Sequence, residues 1–84
     1  MSEHTVERVK VITGYTALAR FLAETSEAPI GEIPRVASIP RPYSYGPTEV
    51  VYDWAGVPIF VAETRHRRYE VYRVSGGAIG PVES

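Results

Sequence analysis

The side chains best equipped for chemistry are few. The stretch "RHRR", Arg65 to Arg68, gathers three arginines and one of the two histidines. Guanidinium groups grip phosphates in a bidentate fork. Tyr69 and Tyr72, just downstream, could stack on bases, and a β-hairpin is one element that enters a nucleic-acid groove. Glu63 and Glu70 flank the cluster and damp its field. A charged hairpin tip also keeps sheets from pairing edge to edge. Arg65, Arg67 and Arg68 are therefore read first as a solvated tip, then as a contact for an acidic protein surface, and last as a nucleic-acid contact.

No catalytic set emerges. Acid–base work needs two carboxyl groups converging in a cleft, but Glu32, Glu49, Glu63 and Glu70 are scattered and Asp53, the only aspartate, sits where a turn needs it. A Ser44, His66, Asp53 set can be assembled on paper, with no spacing to support it. "SGGAIG" has glycines without the lysine or following helix of a phosphate loop. The chain has no cysteine, so disulfides, thiolate zinc sites and cysteine nucleophiles drop out. His4 and His66 are too few for a histidine metal site. The expectation is no catalytic residue, no metal and no cofactor.

The elements that must position these side chains belong to a short chain. Its 84 residues make one domain, read as 1–84 with 75–84 as a flexible tail. A radius of gyration of roughly 12 Å is expected, with a correspondingly small core. Net charge is −1, whereas nucleic-acid binders are usually basic over the whole domain. Lys10 is the only lysine among the nine basic residues, and Asn and Gln are absent, a pattern read first as coding bias and second as a demand for planar, bidentate donors. No apolar run approaches the roughly 18 residues of a membrane span. "MSEHTVERVK" is too polar for a signal peptide. A cytoplasmic protein with no membrane role is the expectation.

"VERVKVIT", Val6 to Thr13, alternates and is rich in β-branched residues, which predicts a strand. Tyr15, Leu18, Phe21 and Leu22 recur at helical spacing. That helix should take its N-cap oxygen from Thr13 and end near Ser26, ahead of Pro29. Pro29, Pro34, Pro40, Pro42 and Pro47 then punctuate a long loop. It carries Ile30, Ile33, Val36, Ile39, Tyr43 and Tyr45, too much apolar payload for a disordered linker. A short edge strand at "RVASI" is expected within it. From Glu49 the pattern is β. Asp53 to Gly56 predicts a three-residue turn with Asp53 facing Val57. Thr64 to Arg67 predicts a four-residue loop with Glu63 facing Arg68.

Those turns fix a register, and register fixes faces. One face collects Val51, Val57, Ile59, Tyr72 and Val74; the other collects Val50, Tyr52, Phe60, Ala62, Tyr69 and Val71. Both are apolar, though an antiparallel sheet commonly leaves one face wet. One helix covers one face. The other needs the Pro-rich loop, a second copy or a foreign protein. "IPRPYSYGP" resembles a proline-rich docking peptide in composition only, and Trp54 at a turn tip either packs back or marks a binding hot spot. The fold class read is α+β: one helix on a three- to four-stranded, mainly antiparallel sheet, in the order strand, helix, Pro-rich loop, three strands. The function read is a small non-enzymatic protein–protein interaction module, with a homodimer among the options. Its partner-binding residues would be Tyr43, Tyr45, Tyr52, Trp54, Phe60 and Tyr69. The alternatives are a nucleic-acid-binding or regulatory protein using the Arg65–Arg68 hairpin, and an accessory subunit of an enzyme complex.

Overall fold

The computed structural model describes residues 4–42 and 46–82. In chain order the elements are β1 (His4–Thr13), α1 (Tyr15–Leu22), β2 (Gly31–Pro34), β3 (Thr48–Trp54), β4 (Val57–Arg65) and β5 (Arg68–Gly76). The strands form one antiparallel sheet in the order β1-β5-β4-β3-β2. The α+β class stands; the sheet has five strands rather than three or four. The first strand takes one edge beside β5. The other edge strand is "GEIP", not "RVASI". Gly31–Pro34 suits an edge because Ile33 alternates into the core at 1% exposure, while Pro34 ends the strand, where a missing N–H costs little.

Two further expectations about the helix are corrected. Thr13 pairs with Arg68 in the ladder, and Gly14, with φ of 92°, is the N-cap without any side-chain cap. The helix also stops at Leu22. Thr25 forms a bridge with Trp54 and its Oγ1 donates to the Leu22 carbonyl at 2.8 Å, so the turn onto β3 ends the helix before Pro29 can.

Both hairpin registers are one residue away from those expected. Trp54 faces Val57 and Asp53 faces Pro58, because the turn is the pair Ala55–Gly56, both at positive φ (51° and 85°). That is the type I′ geometry whose twist suits a two-residue hairpin. In the second hairpin Glu63 faces Tyr69 and Arg65 faces Arg68, with an irregularity between Glu63 and Arg65. Arg67, at φ 62°, supplies the left-handed turn residue. The two shifts cancel between β3 and β5 but turn the whole of β4 over, since side chains alternate with period two. Phe60 therefore lies opposite Tyr72, stacked at 5.4 Å, and not beside Tyr52 and Tyr69.

Two cores result. On the helix side Phe21 packs with Ile12, Ile59, Tyr69 and Val71, joined by Leu18, Trp54, Val57 and Val61. On the other side Ile33, Ile39, Val51, Phe60, Ala62 and Val74 form a cluster with Val6, Val36, Tyr72 and Ile79. Val36 and Ile39 come from the Pro-rich loop and Ile79 from the C-terminal segment, so this chain covers its own second face. The region read as a tail enters β5 through Gly76, and Gly80 then exchanges backbone bonds with Glu32, 2.9 Å each way. Gly31 permits that approach: a Cβ there would overlap the Gly80 carbonyl and Ile79.

Candidate functional site

The ladder between β3 and β4 is short. It runs from the turn pair Trp54–Val57 through Tyr52–Ile59 and stops there. β3 continues back to Thr48, paired with β2, and β4 continues to Arg65, paired with β5. Backbone N–H and C=O groups alternate sides along an antiparallel strand. The pairs at Tyr52 and Trp54 therefore place Thr48 and Val50 of β3, and Val61 and Glu63 of β4, with their backbone groups aimed into the gap. A cleft of about 440 Å³ opens there. Leu18 and Leu22 of α1 stand over it with Val50, Tyr52, Val61, Glu63 and Tyr69, while Ala62, Glu49, Arg35 and Arg41 line it on the loop side.

The loop side is held by charge. Glu49 is 7% exposed and is ion-paired to Arg41 Nη2 and, at 3.4 Å, to Arg35 Nη1. Arg35 Nε also donates to the Gly46 carbonyl at 2.7 Å, and Arg41 Nη1 to the Val36 carbonyl at 2.9 Å. One carboxylate on β3 thus pins both arginines of the Pro-rich loop across the second core. Burial pushes the Glu49 carboxyl up from its ordinary value, and the two guanidinium groups offset part of that.

Glu70 is the second buried acid, at 6% exposure. Tyr72 donates its hydroxyl to Oε1 at 2.6 Å. Thr64 Oγ1 and Arg68 Nε donate to Oε2 at 3.5 and 3.4 Å, and Arg8 lies 3.7 Å away. The Tyr72 bond is the main cause holding this carboxyl below its ordinary value, against its burial. The same burial and bond push the Tyr72 hydroxyl up to about 12.

The residues singled out in the sequence meet different fates. Tyr43 and Tyr45 lie outside the described residues. Tyr52 and Tyr69 both line the cleft. Trp54 packs on Phe21 at 5.0 Å and donates Nε1 to Glu24 at 3.5 Å, so the turn-tip tryptophan folds back. Phe60 is fully enclosed and presents no surface to a partner. The arginine cluster is pulled apart: Arg68 turns to Glu70 at 3.3 Å, Arg67 sits over the Tyr15 ring at 5.4 Å, and Arg65 is exposed. His66 meets the edge of Tyr15 at 6.5 Å. His4 bonds the Ala78 carbonyl at the opposite end of the β1–β5 pair. Asp53 lies beside the turn, opposite Pro58.

A second concavity, an open groove of about 760 Å³, runs between β1 and α1 and brings Lys10, Arg20 and Arg67 together with Tyr15, Phe21 and Glu24. The sequence reading missed Leu18, Leu22, Val50 and Val61 as cleft walls, and Arg35, Arg41 and Glu49 as its frame. Helical spacing flagged the leucines as core. Nothing local marks where a ladder ends, and Glu49 meets its arginines only through the loop's return. Comparison of the chain with protein-family models, with curated proteins and with solved structures gave no match.

Proposed function

We propose that this protein is a non-enzymatic interaction module that receives an extended peptide segment of a partner protein between β3 and β4. The observation that carries this reading is the interrupted ladder: two strands of one sheet turn backbone donors and acceptors toward each other across a cleft instead of pairing. An added strand recovers those bonds, and alternate side chains of the peptide find the two walls. The walls differ. Leu18, Leu22, Val50, Val61 and Tyr69 offer apolar contact on one side; Arg35, Arg41 and Glu49 offer charge on the other. Of the aromatic residues expected at a partner interface, Tyr52 and Tyr69 serve this cleft. The accessory-subunit reading is the same binding seen from a larger assembly.

The test is a random peptide library selected on the wild-type chain. Val50 is 37% exposed, so Val50→Trp fills the cleft from a position that tolerates bulk. Selected peptides are expected to perturb the backbone amide resonances of Thr48, Val50, Val61 and Glu63, and to lose binding to Val50→Trp. Peptides that bind both proteins equally, or that leave those four amides unmoved, sink the reading.

A further inference from the structure

An open sheet has two edges, and among the described residues this fold closes only one. At β2 the C-terminal segment returns, and Gly80 bridges Glu32. Among the described residues β1 pairs with β5 alone. The Gly14 N–H bonds the Arg67 carbonyl at 2.8 Å. Ladder alternation from that bond and from the β1–β5 register turns the backbone groups of Val6, Arg8 and Val11 outward. Val9 and Val11 are 40% and 43% exposed. A long uncovered edge strand is a template for pairing.

We propose that β1 pairs with β1 of a second copy, antiparallel about a two-fold axis between Arg8 and Val9, so that two sheets join into one. Charge and the β1 irregularity between Arg8 and Lys10 select this register. A bulge inserts one extra residue and so exchanges the parity of the faces on its two sides. Glu7 faces Arg73 and Lys10 faces Val71, so both lie on the helix side. Val6 faces Val74 and Val11 faces Glu70, so both lie on the other. In a regular strand residues 6 and 11 would occupy opposite faces; here they share one. The two-fold register sets Val6 against Val11 of the second copy, with outward backbone groups on both, and Glu7 against its Lys10. Symmetry repeats each pair, as an isologous contact requires. Glu7 is free to take a second cation: it meets Arg73 at 3.1 Å with its side chain 65% exposed. Shifting the register by one would set Arg8 against Lys10, which lie on opposite faces and of which only Arg8 turns its backbone groups outward.

This surface is distinct from the cleft, and neither proposal depends on the other. One strand pair lies at the small end of stable interfaces, so the dimer should be concentration-dependent. Sedimentation equilibrium of the full chain from micromolar to millimolar concentration is the measurement. Lys10→Glu sets Glu against Glu twice and should weaken the dimer about tenfold or more; Glu7→Lys with Lys10→Glu should restore it. Val11→Pro removes an outward N–H that the fold does not use, so circular dichroism should be unchanged while the dimer is lost. A wild type that stays monomeric throughout overturns the proposal. So does a dimer indifferent to Lys10→Glu or to Val11→Pro in a folded chain, or a charge swap that restores nothing.

Discussion

Among the described residues two glutamates are buried, and their surroundings drive them in opposite directions. Glu70 accepts from Tyr72 and sits beside Arg68 and Arg8, so its carboxyl is held below its ordinary value. The unfolded chain then binds its proton more readily than the folded one. Its contribution is present above the ordinary carboxylate value and is lost as pH falls through the lowered one. Glu49 is raised by desolvation, so its contribution has the opposite slope: it is present below the ordinary value and lost as pH rises through the raised one. Denaturant titrations between neutral and acid pH should separate them. Glu70→Gln should cost about 1 kcal/mol at neutral pH, through weakened bonds to its half-buried donors, and should flatten the acid limb. Glu49→Gln should steepen it. Parallel acid limbs for the two variants would show that neither carboxyl is shifted as described.

At the scale of elements, the turns decide the molecule. Ala55 is a non-glycine residue at φ 51° in a two-residue hairpin turn, a conformation that costs an L-residue roughly 1–2 kcal/mol. Asn tolerates it and precedes Gly in the preferred type I′ pair. Ala55→Asn should therefore stabilise the fold by about 0.5–1 kcal/mol, read as a higher melting temperature with unchanged circular dichroism. A loss of stability would mean that Trp54, packed on Phe21 and bonded to Glu24, holds the turn in a geometry that Asn disturbs. The same turn sets β4 against β3. Its two-residue closure puts Ile59 on the helix core and Phe60 on the loop core.

For the whole molecule, the balance of charge weighs against a nucleic-acid role. The arginines of the hairpin tip diverge, one of them onto buried Glu70. The basic groove of Lys10, Arg20 and Arg67 includes Glu24, and the net charge is −1. Fluorescence anisotropy with single-stranded and duplex oligonucleotides should show no binding at physiological salt. Tight binding with a log–log salt slope of about −2 to −3, removed by Lys10→Ala with Arg20→Ala and Arg67→Ala, would promote the groove over the cleft. The helix covers one face of the sheet while the Pro-rich loop and C-terminal segment cover the other. A second copy is thus not needed to bury Phe60.

The sequence by itself determined the α+β class, the strand at Val6–Thr13 and the helix from Tyr15, because alternation and helical spacing are local signals. It also showed that both faces of the sheet are apolar and that a chain with one helix must cover the second face by other means. Ile33, Val36 and Ile39 were legible as payload too large for a free linker. Register was not legible. "DWAG" admits a two- or three-residue turn, and "TRHR" a two- or four-residue one. A shift of one residue, too small to leave a mark in composition, turns a strand over. The cleft was less legible still. Its walls come from α1, β3, β4 and the Pro-rich loop, and it lies where the β3–β4 ladder has ended at Tyr52–Ile59 while β2 and β5 pair with the far edges of those strands. Where two neighbouring strands part depends on the packing of helix and loop on both faces of the sheet, which no local stretch of sequence records.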